Sequence, residues 1–307
     1  MLLTAIHGIL TSQTDPSWPD KFDAWMFQRD PAIKVLKKEY CAGPFPCWNC
    51  WVKDPWLARG LANEIELFLN PKSAQPIQQA PATASLSYLR GRRGVGRGGP
   101  FSSPIWFVAH SNGAVIALLA AHRLIQRGYH IGGLILTGAA CDADLQKNRI
   151  LEWLSTGALG AAISYSSEDD HVIAGDPRVA KSLREKLRDW LWGKLMWPYG
   201  SLGRTGWLCS GKPLHGQEFN ATEPVAQASS PASAQAVPGG HSLPIATLLT
   251  RWYPGGHSTY FTPANLERTF QQIYDDVLAR SRSPHWRRVE PRPYSSHPAH
   301  PSHACSS

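Results

Sequence analysis

Residues 107–117 read "FVAHSNGAVIA": a short apolar strand, a polar corner, and an apolar run of helical character. Ser111 stands at the point where one element ends and the next begins. A strand that turns abruptly into a helix forces its corner residue into a strained backbone, and only small neighbours tolerate the crowding. The run Ala109-His110-Ser111-Asn112-Gly113-Ala114 has that pattern, with Ala109 where a first glycine is usual. Such a corner lifts a serine hydroxyl above the carboxyl edge of a sheet, where ligands bind in α/β folds. It also points the Asn112 amide and the helix N-terminus at any oxyanion formed there. The same residues equally describe a serine that only N-caps a helix, so the rest of the chain has to decide.

Outward from that corner, strand and helix signals alternate. "LLTAI" (2–6) and "AIKVL" (32–36) read as strands. Asp54-Pro55 reads as an N-cap followed by proline at N1, opening a helix with Leu57, Leu61, Ile65 and Phe68 on one stripe. "IWFV" (105–108) precedes the corner, and a helix from about Ala114 to Arg127 follows it, stopped by Gly128. "HIGGLILTG" (130–138), "AAISY" (161–165) and "IATLLTRWY" (245–253) are further strands. A helix starts at Asp176-Pro177 with Val179, Leu183, Leu187 and Leu191; another follows Thr262-Pro263 with Leu266, Phe270, Ile273 and Val277. This alternation predicts an α/β fold, a mostly parallel sheet covered on both faces. One domain over residues 1–280 is expected, with flexible insertions at about 71–104 and 210–240 and a basic, disordered tail over 281–307.

A serine nucleophile needs a base, and the base needs an orienting carboxylate. "SSEDDHVIA" puts Asp169 and Asp170 just past the end of the strand "AAISY", and "YPGGHSTYF" puts His257 in a loop before the final helix. "AIHGIL" (5–10) supplies His-Gly in a loop after an earlier strand, where a second oxyanion amide is needed. Asp142 and Asp144, in "GAACDAD" after another strand, are second-choice acids. "VPGGHSLP" repeats Pro-Gly-Gly-His-Ser at His241, but no helix closely follows it, so His257 is preferred. His7 and His110 flank the corner and read as local packing or hydrogen-bonding residues, and His171 as structural or solvated.

The motifs "HGIL", "AHSNGA", "SSEDDHVI" and "GGHSTYF", in this order, resemble an α/β-hydrolase of the serine esterase/lipase type over roughly residues 2–279. The resemblance implies that Ser111 is the nucleophile, His257 the general base and then acid, and Asp170 the orienting carboxylate. It implies an oxyanion hole from the amides of Asn112 and Ile9. "SEDDHV" resembles the family's Gly-x-x-Asp-x-Val turn with Ser167 in the glycine position, which favours Asp170 over Asp169. The chain starts directly at the strand carrying the oxyanion loop, so a three-layer α/β/α sandwich of about six strands is implied, lacking the family's first two. The implied reaction is cleavage of a small-molecule ester or lipid ester, without a cofactor or metal. A non-catalytic binding protein on the same fold and an acyltransferase with the same triad are the alternatives.

Composition limits other classes. The net charge of +8 belongs entirely to "RGRRGVGR" (90–97), with four arginines, and to the stretch from Arg280 onward, with five arginines and one glutamate. Basicity on flexible appendages argues against nucleic-acid binding as the main function. "GVGRGG" (94–99) follows no strand and Pro100 blocks the helix it would open, so it is not a dinucleotide loop. Cys47 and Cys50 have zinc or redox spacing with Cys41 nearby, but no second pair completes a zinc site, and free thiols among aromatics are expected. The thirteen tryptophans, many in 18–56 and 190–207, line an acyl pocket or its cover, or fill the core. No run approaches the roughly 18 apolar residues of a membrane span. "MLLTAIHGIL" lacks the basic start of a signal peptide, so a cytoplasmic protein is expected.

Overall fold

Seven strands pair side by side and all run in the same direction: β1 (Leu2–Ile6), β2 (Lys34–Lys38), β3 (Ile105–His110), β4 (Ile131–Thr137), β5 (Ala162–Ser166), β6 (Gln217–Glu218) and β7 (Leu248–Trp252). Their order across the sheet is β2-β1-β3-β4-β5-β7-β6. The computed structural model describes residues 1–8, 17–40, 52–70, 104–172, 200–209, 212–213, 217–218, 235–236, 242–243 and 248–281. Six strands form the sheet proper, and β6 adds a two-residue edge.

The strands at the centre are buried along their whole length, as a parallel sheet covered on both faces requires. Side chains alternate between two separate cores. Ile105, Phe107 and Ala109 of β3 face one core, where α2 (Asp54–Leu69) and α3 (Gly113–Gln126) pack with Leu61, Ile65, Ile116 and Leu124. Trp106 and Val108 face the other, closed by α1 (Trp18–Arg29) and by a long C-terminal helix at Leu266–Ser281. That second core takes Phe22 and Met26 from α1 and Phe270, Ile273 and Val277 from the C-terminal helix. Each contributes roughly 1.5–3 kcal/mol by leaving water. The result is a three-layer α/β/α fold on the reduced, six-strand parallel sheet that the motifs imply.

Two short helices, α4 (Ile150–Ser155) and α5 (Leu202–Thr205), lie before the C-terminal helix, α6. Among the described residues no helix is long and apolar enough to cross a membrane.

Several local expectations change. Helix α1 is an addition to the predicted elements, although Trp18, Phe22 and Met26 make an i, i+4, i+8 stripe behind Pro19. Asp54 is the first residue of α2, not its cap; Lys53 holds that position without a side-chain bond. Phe68 is 48% exposed, although eleven residues from Leu57 turn a helix only about 20° off the same face. Its place in the last turn, and not its rotation, exposes it. Helix α6 begins at Leu266, after a turn in which the amides of Asn265 and Leu266 both donate to the Thr262 carbonyl. It runs to Ser281, and Arg280 pairs with Asp276, so one arginine counted with the tail belongs to the fold. The 176–191 helix, "CWNC" with Cys41, His241, residues 71–103, most of 210–240 and everything after Ser281 lie outside the described residues.

The chain steps from β1 to β2 on one side and then crosses back to β3 on the other. A sheet wound in this way opens a crevice between the carboxyl ends of β1 and β3, the place where open α/β sheets bind ligands.

Candidate active site

Ser111 sits directly after β3, at that crevice, with φ of 55°. A left-handed backbone on a residue with a side chain costs on the order of 1–3 kcal/mol and persists only where the surroundings hold it. Its amide donates to the Thr137 carbonyl (3.1 Å), and its own carbonyl accepts from the amides of Ala114 and Ala140 (both 3.1 Å). The small neighbours now have a reason. A Cβ on Gly113 would fall 2.6 Å from the His7 carbonyl oxygen and 2.8 Å from that of Ile6. A Cβ on Gly8 would fall 2.7 Å from the Ser111 Cβ. The corner closes because both side chains are missing.

The hydroxyl is not spent on capping α3; no side chain caps that helix. Instead Ser111 Oγ lies 2.9 Å from Nε2 of His257, which follows β7 in the loop before a single 3₁₀ turn, Thr259–Phe261. Nδ1 of His257 lies 2.8 Å from Oδ2 of Asp170, a fully buried carboxylate past the end of β5. The other oxygen of Asp170 accepts from the Val172 amide (3.2 Å). Three residues far apart in the chain thus form one hydrogen-bonded line.

The alternatives lie elsewhere. Asp169 next door is exposed, as is His171. Asp142 accepts from the Asp144 amide, and Asp144 accepts from the amides of Gln146 and Lys147, so both shape the turn after β4. Ile9 and His241 lie outside the described residues. Among those described, no three His, Cys, Asp or Glu side chains gather as a metal site.

His110 supports the histidine loop. Its Nε2 donates to the His257 carbonyl (3.0 Å), and the two rings stand 4.8 Å apart. Burial first, and the His257 ring second, push the His110 pKa down to about 3 against the pull of that hydrogen bond, so the ring is neutral. His7, whose Nδ1 lies 3.1 Å from the Gly8 carbonyl, is also lowered, chiefly by burial. Trp18 stacks on Phe261 (4.3 Å, 7°), and Phe261 meets the His110 ring edge-on at 5.3 Å. Trp18, Trp106, Trp153 and Trp207 are buried and Trp56 is 72% exposed, so the described tryptophans mostly fill the core.

Asn112 was expected to offer its amide; its side chain is equally involved. Fully buried, its Nδ2 donates to the Tyr40 hydroxyl (3.0 Å) and to Oδ1 of Asp54 (3.1 Å). Asp54 is also fully buried, and desolvation pushes its pKa up to about 7, against the hydrogen bond from Asn112 and the charge of Lys53. Nothing in the sequence pattern linked this carboxyl to Ser111.

No protein-family model matches the chain, and no curated protein matches it significantly. Among solved structures it is similar to the NocB thioesterase domain, in covalent complex with a fluorophosphonate nocardicin G analog. The identity is 13%, over 90% of this chain and 94% of that one, with a TM-score of 0.32. It is similar to human thioesterase 2 (13%, 92% and 98%, TM-score 0.36) and to TT1662 from Thermus thermophilus (14%, 90% and 88%, TM-score 0.34). Likenesses at such scores say nothing about substrate or mechanism, which rest on the site geometry alone.

Proposed function

We propose that the protein is a serine hydrolase that cleaves carboxylic ester bonds through an acyl-enzyme. One observation carries the reading: the unbroken line from buried Asp170 through His257 to the hydroxyl of Ser111, on a serine held at φ of 55°. A structural serine needs neither the base nor the buried acid behind it.

In this reading His257 Nε2 takes the proton of Ser111 as Oγ attacks the acyl carbon. Asp170 holds Nδ1 in the protonated tautomer and stabilises the imidazolium without taking the proton. The backbone amides of Asn112 and Ile9 receive the oxyanion, a contribution of about 2.7–4 kcal/mol per donor. The imidazolium then protonates the leaving alcohol oxygen, and water repeats the sequence on the acyl-enzyme. His110, neutral and bonded to the His257 carbonyl, holds the loop without adding charge beside the imidazolium.

The test is labelling of the purified protein with a fluorophosphonate, beside Ser111→Ala and His257→Ala. Labelling of the wild type that both substitutions abolish is the expected result. A folded wild type that does not label overturns the reading.

A further inference from the structure

Two buried oxygens next to the corner have no partner among the described residues: Oδ2 of Asp54 and Oδ1 of Asn112. They belong to the two side chains already joined by the Asn112 Nδ2 to Asp54 Oδ1 bond. Both residues are fully buried, and a buried polar atom without a partner costs about 1–3 kcal/mol. The two oxygens are both acceptors while the carboxyl is ionised. With Asn112 Nδ2 already on Asp54 Oδ1, one proton on Asp54 Oδ2 would satisfy both if given to Asn112 Oδ1, in a carboxylic acid–amide ring of two opposed hydrogen bonds.

We propose that Asp54 is a positioning residue that acts as the neutral acid, gripping the Asn112 side chain at two points and so fixing the Asn112 backbone amide beside Ser111. This rests on the serine-hydrolase reading, in which that amide is an oxyanion donor. The backbone there is strained and needs such a grip: Ser111 is left-handed, and Asn112 is the hinge between it and α3. Tyr40, on the other hydrogen of Asn112 Nδ2, fixes the same amide from the segment after β2.

The surroundings favour the neutral acid. Among the described residues, the groups facing Asp54 are the Asn112 amide from the start of α3, with the Tyr40 phenol sharing it. On its own helix start, Lys53 supplies the charge that acts on Asp54 among the described residues. Lys53 pulls toward ionisation, and burial outweighs it. The acid therefore gives up its proton only around neutral pH. Below that the ring is closed; above it, a buried carboxylate faces the Asn112 oxygen and the second bond is gone.

The test is the rate of fluorophosphonate labelling of Ser111 from pH 5.5 to 9.5 in the wild type, Asp54→Asn and Asp54→Leu, with thermal melts to confirm folding. The wild-type rate is expected to fall about tenfold above pH 7–8, a part of what an oxyanion donor is worth. Asp54→Asn keeps a two-point amide–amide pair with no titrating group, so its rate is expected to show no such fall at alkaline pH. Asp54→Leu leaves Asn112 held by Tyr40 alone, and its rate is expected to be about tenfold lower at every pH. A wild type that labels, with the same rate and pH profile in both variants, overturns the inference alone. A folded wild type that does not label at all overturns the hydrolase reading and the inference with it.

Discussion

The hydroxyl of Ser167, in the turn that carries Asp170, donates to the carbonyl of Gly255 in the loop that carries His257, and accepts from the Asp169 amide (3.2 Å). One side chain thereby ties the acid turn after β5 to the histidine loop after β7. The turn is fastened from the other side as well, since the Ser167 amide donates to the Gly203 carbonyl (2.8 Å). The distance between Asp170 and His257 is therefore set by bonds outside the line itself.

Ser167→Ala removes that tie while leaving Ser111, His257 and Asp170 intact. The expected outcome is a labelling rate lower by about three- to tenfold, because misplacing a reacting group by a fraction of an ångström is costly. A stability loss of about 1 kcal/mol should accompany it, the net worth of an ordinary hydrogen bond. Labelling kinetics and thermal melts check both; an unchanged rate would show that the two loops hold each other without it.

His110 makes stability depend on acid. Its folded pKa, near 3, lies below the ordinary value of 6.5, so the unfolded chain takes up a proton first as pH falls. Stability from this group is complete above about pH 6.5 and drains away toward pH 3. By pH 4.5 the loss is about 2–3 kcal/mol. His110→Asn, with no proton to gain, should show a smaller fall in melting temperature between pH 7 and 4.5 than the wild type. An equal fall in both would place the acid sensitivity elsewhere.

How far these relations are legible in the sequence depends on their range. Ser111, Asp170 and His257 are legible because each lies in a corner or loop that follows a strand, and such local patterns survive without knowledge of the fold. Asp54 is different: Asp-Pro reads as a helix start, yet its side chain answers to Asn112, 58 residues away. No local period encodes that pairing. Helix α1 carries its own stripe, but Pro16 and Pro19 around it imitate a loop. Ser167 stands out only as a departure from an expected glycine, and the carbonyl that explains it belongs to another loop.

Asp276 tests whether the fold can be weakened far from the chemistry. It is buried on α6 and accepts from Arg251 through both oxygens (2.7 and 2.9 Å), from Arg280 (2.9 Å) and from the Tyr165 hydroxyl (2.7 Å). Burial opposes its charge, but Arg251 and Arg280 outweigh burial and hold the carboxyl below its ordinary value. Asp276→Ala leaves Arg251 buried beside the gap, so a loss of about 3–5 kcal/mol is expected by chemical denaturation. The labelling rate of the fraction that remains folded should be unchanged. Because the folded pKa is depressed, this stability is present above about pH 3.8 and fades only below it.

Two glycines give opposite predictions for one chemical change. Glycine to alanine in a helix gains up to about 1 kcal/mol, since alanine loses less backbone freedom on folding. At Gly60, in α2, a Cβ meets nothing within 4 Å, so Gly60→Ala should raise stability by about that amount. At Gly113 the same Cβ meets the carbonyl oxygens of His7 and Ile6 at 2.6 and 2.8 Å, and both are backbone atoms that cannot swing aside. Overpacking of that kind costs about 1–3 kcal/mol and exceeds the gain. It also pushes the start of α3 away from β1, which carries the Asn112 amide out of place. Gly113→Ala should thus lower both the denaturation midpoint and the labelling rate, while Gly60→Ala raises the first and leaves the second alone. If both substitutions stabilise the protein, the corner is not closed by contact between α3 and the end of β1.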